Sequence, residues 1–286
     1  MKSEDKRIVR RVHGAGRWFP GDEKDLSRMI NTFIESAKVP EIRGRIVAGI
    51  APHAGYVFSG KTAGYTFRAL KDAAASGNAP ETVVVLGLSH RGGFSGIALM
   101  DGDALATPLG EVALDNEAAD LLVKGRDRIR RDYAPHAGEH SAENEIPFVQ
   151  AALPKAKLVV AMFGDHEKTT LDQLVAGLNE LAAKKKIFVI ASTDLLHDPD
   201  YDLVSTTDRI TLKKIAALEV KDVASSWSPG RQVCCGLMPV LTAMQFARDQ
   251  GSKAGQVLYY RNNGDDDPSS RGNWVVGYGS VIFTVE

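Results

Sequence analysis

Four of the chain's seven histidines follow short apolar runs. His53 ends RIVAGIAPH, His90 ends TVVVLGLSH, His166 follows KLVVAMFGD and His197 follows IFVIASTDLL. Neutral imidazole is a good ligand for first-row metals and moves protons near neutral pH. The two cysteines, Cys234 and Cys235, are adjacent, and neighbouring cysteines bridge poorly because the geometry strains the peptide between them. As a thiolate, either would add a softer anionic donor. Cys235 stands just before an expected helix, where the dipole and free N–H groups lower a thiol pKa. The alternative is that both are inert buried residues. No HExxH or CxxC spacing is present. The residues therefore leave a metal site and an acid–base site both open, with the metal unspecified.

These side chains need a frame that brings them together. The runs at 45–50, 82–88, 157–163 and 187–191 read as buried strands, each stopped by polar, Pro or Gly residues. If they are parallel with helices between them, their carboxyl ends share one edge of a sheet, where open α/β folds place ligands. Ser59 is a candidate N-cap for a helix over 61–71. Asp22 caps an apolar stripe of Leu26, Met29, Ile30, Phe33 and Ile34. Asp115 starts a helix to 123, and Ser141 caps another, with Glu143 and Glu145 near its positive end. Helical patterns cover 169–181 and most of 202–225, and Pro239 fits an early helical turn. A short strand is expected at 96–100, and two more at 256–260 and 274–285, with a polar loop over 262–272. Residues 1–13 are expected to be partly disordered. Trp18 and Phe19 read as core or lid residues and His136 as a solvent-exposed loop residue.

The bulk properties exclude some classes. At 286 residues, 44% hydrophobic and 25% charged, the chain has ordinary globular composition. A net charge of −1 gives no electrostatic argument for nucleic acid or an anionic membrane. The first twenty residues lack the apolar core of a secretion signal, and no run approaches the roughly 20 apolar residues of a membrane span. Two adjacent thiols suit a reducing, cytoplasmic compartment. No repeat or linker is visible, so one domain over 1–286 is expected.

The motifs APHAGY at 51–56, LGLSH at 86–90, EHSAENEIPF at 139–148, STDLLH at 192–197 and Cys235-Gly236 together resemble the MEMO family. Its bacterial and archaeal members are often called AmmeMemoRadiSam system protein B. AGRWFP at 15–20 resembles the family's AGSWYP-like stretch, so the likeness runs from about Gly14 to the C-terminus. MEMO proteins are similar in fold to the LigB-type (class III) extradiol dioxygenases. That implies one three-layer α/β/α domain with a mostly parallel or mixed central sheet.

The resemblance also implies a metal trio of His53, His90 and Cys235, with His197 and Asp194 at the dioxygenase acid–base position. Leu196, Asp198 and the extra Cys234 depart from the family pattern. Asp194 either orients His197 or caps the next helix. Glu143 is a partner to the ligands or a helix-start charge. His140 hydrogen-bonds near the site, with Trp18 and Tyr56 flanking the cleft, while His166 and its neighbours are structural. The implied cofactor is one divalent or redox-active metal ion, iron or copper, with zinc as a further option. The function expected is a metal-dependent oxidoreductase related to the non-haem iron dioxygenases. The alternatives are a non-catalytic module holding a peptide or small molecule in the same cleft, and a metal-dependent hydrolase.

Overall fold

Strands covered by helices on both faces must be apolar along their whole length, and the runs in this chain are. In the computed structural model, which describes residues 7–286, twelve strands lie among the described residues. They are β1 Val9–Arg11, β2 Arg45–Ala51, β3 Thr82–Leu88, β4 Ile97–Leu99, β5 Ala104–Thr107 and β6 Gly110–Ala113. The others are β7 Ile129–Arg131, β8 Lys157–Phe163, β9 Ile187–Ser192, β10 His197–Asp198, β11 Gly255–Asn262 and β12 Val275–Val285. The helices are α1 Glu23–Ser36, α2 Tyr56–Ala73, α3 Asn116–Val123, α4 Ile146–Ala152 and α5 Lys168–Ala182. They continue with α6 Tyr201–Ala216, α7 Val220–Ser226, α8 Leu237–Asp249 and α9 Asn263–Asp266.

The main sheet runs β10-β12-β2-β9-β3-β8-β4-β7, with β11 also paired along β12. Its four central strands, β2, β9, β3 and β8, are mutually parallel. Their registers, Ala51 with Ser192, Ala191 with Leu86 and Leu88 with Phe163, bring the carboxyl ends level. Alternate residues face opposite layers. Val84, Leu86, Val159, Val189 and Ala191 pack with α3, α5, α6, α7 and α8. Val83, Val85, Val160, Phe188 and Ile190 pack with α1, α2 and α4. The result is a three-layer α/β/α arrangement around a mixed sheet. β1, β5 and β6 form a separate small sheet. Among the described residues, no helix is long and apolar enough to cross a membrane.

Several local expectations give way to tertiary contacts. α2 starts at Tyr56 rather than near 61, because the Trp18 carbonyl accepts the Tyr56 N–H at 2.8 Å. Ser59 therefore lies inside the helix and donates to the Ala54 carbonyl at 2.8 Å. Ser141 caps no helix; it donates to the Leu88 carbonyl at 2.7 Å and accepts the Leu88 N–H at 3.1 Å. Of the N-terminal stretch expected to be partly disordered, residues 1–6 lie outside the described residues. Residues 9–11 form β1, paired to β5. The expected polar loop over 262–272 holds α9, whose N-cap Asn262 makes a capping box with Asp265.

His136 also departs from expectation. It is buried, with Nε2 3.1 Å from the Ala98 carbonyl oxygen, and burial pushes its pKa down to about 4. Between about pH 6.5 and 4 the unfolded chain holds a proton here that the folded chain does not. Its contribution is present above the unfolded pKa and lost as pH falls towards 4. Relative to His136→Gln, the wild type should lose up to about 3 kcal/mol of stability between pH 7 and 4. Urea denaturation at both pH values measures this. A difference that stays constant would contradict a neutral buried imidazole.

Candidate metal centre

The turns after β2, β3 and β9 meet at the level edge of the sheet. His53 follows β2 and is buried, and its backbone is fixed by a residue 141 positions further along the chain. Asp194, in the turn after β9, accepts the N–H groups of His53 at 2.9 Å and Ala54 at 3.2 Å. The His53 carbonyl accepts from Asn144 Nδ2 at 2.6 Å. Its ring Nδ1 lies 3.0 Å from Ser192 Oγ, which in turn donates to Glu145 Oε1 at 2.7 Å. With Nδ1 engaged, the lone pair at Nε2 is directed to the cleft, 3.2 Å from Cys235 Sγ.

His90 is held by a carboxylate. Glu139 accepts its N–H through Oε2 at 2.6 Å, while Oε1 lies 2.9 Å from the ring Nδ1. The same Oε1 accepts the N–H groups of His140 and Ser141, each at 2.9 Å, and lies 3.3 Å from His140 Nδ1. His140 is sandwiched further, stacked on Trp18 with ring centroids 3.9 Å apart and 4° between planes. Trp18 is carried by a loop that Glu143 anchors, since its Oε1 accepts the His13 and Gly14 N–H groups at 2.6 and 2.5 Å.

One nitrogen each from His53, His90 and His140 lies within 4.8 Å of the other two. Small side-chain rotations from such spacing bring three imidazoles onto one ion with bonds near ~2.0–2.1 Å. On all three rings Nδ1 faces an oxygen partner, the arrangement that fixes the tautomer of metal-binding histidines. The donor set therefore fits a metal ion. Cys235 reaches the cluster through His53, and its Sγ accepts the Asp194 N–H at 3.2 Å.

The electrostatics favour neutral imidazoles at His53 and His140. Burial, then the charges of His90, His140 and His197, holds His53 well below the usual 6.5. Burial likewise brings His140 down to about 4. Burial alone would raise the Glu139 carboxyl, but its bonds to His90 and Ser141 hold it at about 2. Asp194 and Glu143 each rise to about 7 through burial, despite the backbone N–H groups they accept. Glu145 is driven well above the carboxylate range by complete burial.

Cys235 corrects an expectation. Its thiol lies well above the ordinary value rather than below it, because burial and then the Asp194 charge outweigh the helix start. A coordinated cation is what would bring out the thiolate. Cys234 is fully buried among core side chains, and its thiol is pushed up to about 12 by that burial. Asp194 neither orients the His197 ring nor caps a helix; its side chain ties down His53 and Ala54. Asp200, not Asp194, caps α6. Glu143 does stand at a helix start, in the 3-10 turn Glu143–Glu145 that leads into α4, but its carboxylate serves the Trp18 loop.

His197 lines the same cleft from the short β10, exposed, with its ring 6.0 Å from that of Trp274. Desolvation by the cleft walls, then His90, brings it down to about 4. Tyr56 lies beneath the cleft, buried, donating to the Asn144 carbonyl at 2.7 Å. His166 lies apart, stacked on Trp227 at 4.6 Å. The sequence alone pointed to no role for Glu139, Asn144 or Ser192, and Glu145 read only as a helix-start charge. The density of polar residues in EHSAENE, next to an apolar helix, was the available signal.

The sequence matches a family model described as Memo-like protein over residues 10–282. A MEMO1 family protein of Methanopyrus kandleri is 31% identical over 279 residues, covering 94% of this chain and 96% of that one. A MEMO1 family protein of Thermococcus onnurineus is 31% identical over 296 residues, covering 96% and 99%. The crystal structure of an uncharacterized Escherichia coli K12 protein covers 82% of this chain and 99% of its own at 13% identity. Its TM-score is 0.48, too distant to inform the site. With the family match spanning nearly its whole length, the chain belongs to the Memo-like family.

Proposed function

We propose that the protein is a metal-dependent oxidoreductase acting on a small-molecule or peptide ligand in this cleft, in the cytoplasm. The observation that carries the metal reading is the convergence of three imidazoles with their Nδ1 atoms held from behind. His53, His90 and Cys235 hold the ion, and His140 supplies a further donor. Iron or copper suits oxidoreductase chemistry, while zinc suits hydrolysis. The bound ion supplies Lewis acidity and, for iron or copper, electron transfer.

The chain's own residues supply the rest. His197 at the cleft wall is neutral near pH 7 and can accept a proton from substrate at a ring nitrogen, then return it. Asp194 fixes the backbone that carries His53, and Glu139 fixes His90 and His140. Trp18 and Trp274 present apolar faces that exclude water from the bound ligand.

A second reading is a binding module without turnover. Its support is that Trp18, Val57, Phe58 and Trp274, all exposed, line this one cleft of about 670 Å³. Oxygen consumption by the metal-loaded protein with catechol-like compounds separates the two. Sustained uptake that His197→Ala reduces by about 10²-fold or more supports the oxidoreductase. Tight binding with no uptake favours the module.

His53→Ala and His90→Ala should each strip most of the metal while circular dichroism stays native, because the core is built elsewhere. Full metal occupancy in both variants, measured by elemental analysis, would refute the site. The thiols should also separate. Cys235→Ser should lose most of the metal. Cys234→Ser should keep it, at a stability cost of about 1–3 kcal/mol for a hydroxyl in an apolar setting. Alkylation of Cys235 should be slow with metal bound and faster after chelation. If Cys235→Ser retains metal and His140→Ala loses it, the centre is an all-histidine one.

A further inference from the structure

The metal cleft has a second chamber that the function proposed above leaves unused. The first, about 670 Å³, contains the imidazole cluster and is walled by Trp18, Phe58 and Trp274. The second, about 530 Å³, shares His197 and Trp274 with the first and has Cys235 among its lining residues. Its character differs. Where the first is walled by aromatic and aliphatic groups, the second is edged by Thr207, Arg231 and Gln232.

Arg231 is held there by a clamped turn. Ser228 and Arg231 exchange backbone hydrogen bonds across Pro229-Gly230, at 3.1 and 2.9 Å. Just before the turn, Trp227 Nε1 donates to the Cys234 carbonyl at 3.0 Å, fixing the loop to the cysteine segment. Among the described residues Arg231 makes no ion pair. Asp198, a carboxylate that lines the same chamber, accepts the Asp200 N–H at 2.8 Å and makes no ion pair with Arg231. An unpaired guanidinium at the mouth of a cavity that opens on a metal-site thiol is a ready receptor for an oxyanion.

We propose that the substrate of this site carries a carboxylate or phosphate that Arg231 holds in the second chamber, with its apolar body against Trp274 and Trp18. The inference rests on the metal-centre reading for the identity of the site. It adds that the ligand is an amphipathic anion, reaching across the His197–Trp274 partition. Arg231 is then a specificity-determining residue, four positions before the thiol.

Isothermal titration calorimetry with phenylacetate, phenyl phosphate and benzyl alcohol tests this, on metal-loaded and chelator-stripped protein. At least one of the anions should bind the wild type about 10-fold or more tightly than benzyl alcohol. Arg231→Ala should erase that preference, and Arg231→Lys should keep part of it, because an ammonium retains the charge without the fork. Which anion is preferred identifies the group as carboxylate or phosphate. The proposal is overturned if neither anion outbinds benzyl alcohol, or if Arg231→Ala leaves the preference intact. Elemental analysis of the same samples reports separately on the metal. Failure to load metal, with an Arg231-dependent preference intact, would count against the centre and not against the anion site.

Discussion

The buried carboxylate of Glu139 is the contact on which the geometry of the site depends. It accepts the backbone N–H groups of His90, His140 and Ser141 and lies against the His90 ring. A buried charge is tolerable only when its lone pairs are filled, and here several donors fill them. Each of those donors would otherwise be orphaned at roughly 1–3 kcal/mol. The carboxylate thus stabilises the loop that orients it, and the loop in turn fixes two imidazoles. The interaction spans 49 residues of chain between His90 and Glu139, so it exists only once β3 and the 139–145 segment have met.

The rest of that segment extends the same logic. Ser141 clasps the end of β3, Glu143 anchors the Trp18 loop, and Asn144 and Glu145 support His53, the latter through Ser192. Five residues of this seven-residue segment therefore brace elements from both sides of the cleft. Close approach is what allows it. A Cβ on Gly87 would come within 2.7 Å of Ser141 Oγ, and one on Gly236 within 2.6 Å of the Ser192 carbonyl oxygen. Side chains at either position would push the bracing loop or the cysteine segment away from the sheet edge.

Above this rigid floor the walls are of two kinds. Trp18 lies flat on His140 and seals one side, while the second chamber reaches Cys235 past His197 and Trp274. The Trp18 carbonyl also receives the first N–H of α2, so the lid residue is tied into the fold rather than hung from a free loop. A rigid base with an aromatic cover is suited to holding one ligand orientation at the metal.

How much of this was legible in the amino-acid sequence follows from the range of the forces involved. Period and composition determined the strands: apolar runs of five to seven residues are what a sheet covered on both faces requires, and the runs ended where β3 and β8 end and one residue short of the ends of β2 and β9. Asp22 and Asp115 were readable as helix caps because a cap is a contact between near neighbours. That His53, His90 and His197 share an edge followed from parallel strands, a consequence of topology rather than of any side chain. What only the tertiary structure decided were the partners of the polar groups. Asp194 reads as a cap or as an orienter of His197, yet it binds the backbone of a residue 141 positions earlier. His136 reads as exposed until β4 supplies the Ala98 carbonyl. The Cys235 thiol reads as acidic at a helix start until burial beside Asp194 reverses it. Local sequence carries backbone propensity and apolar period, but a buried polar group takes its partner and its pKa from whatever the chain folds against it.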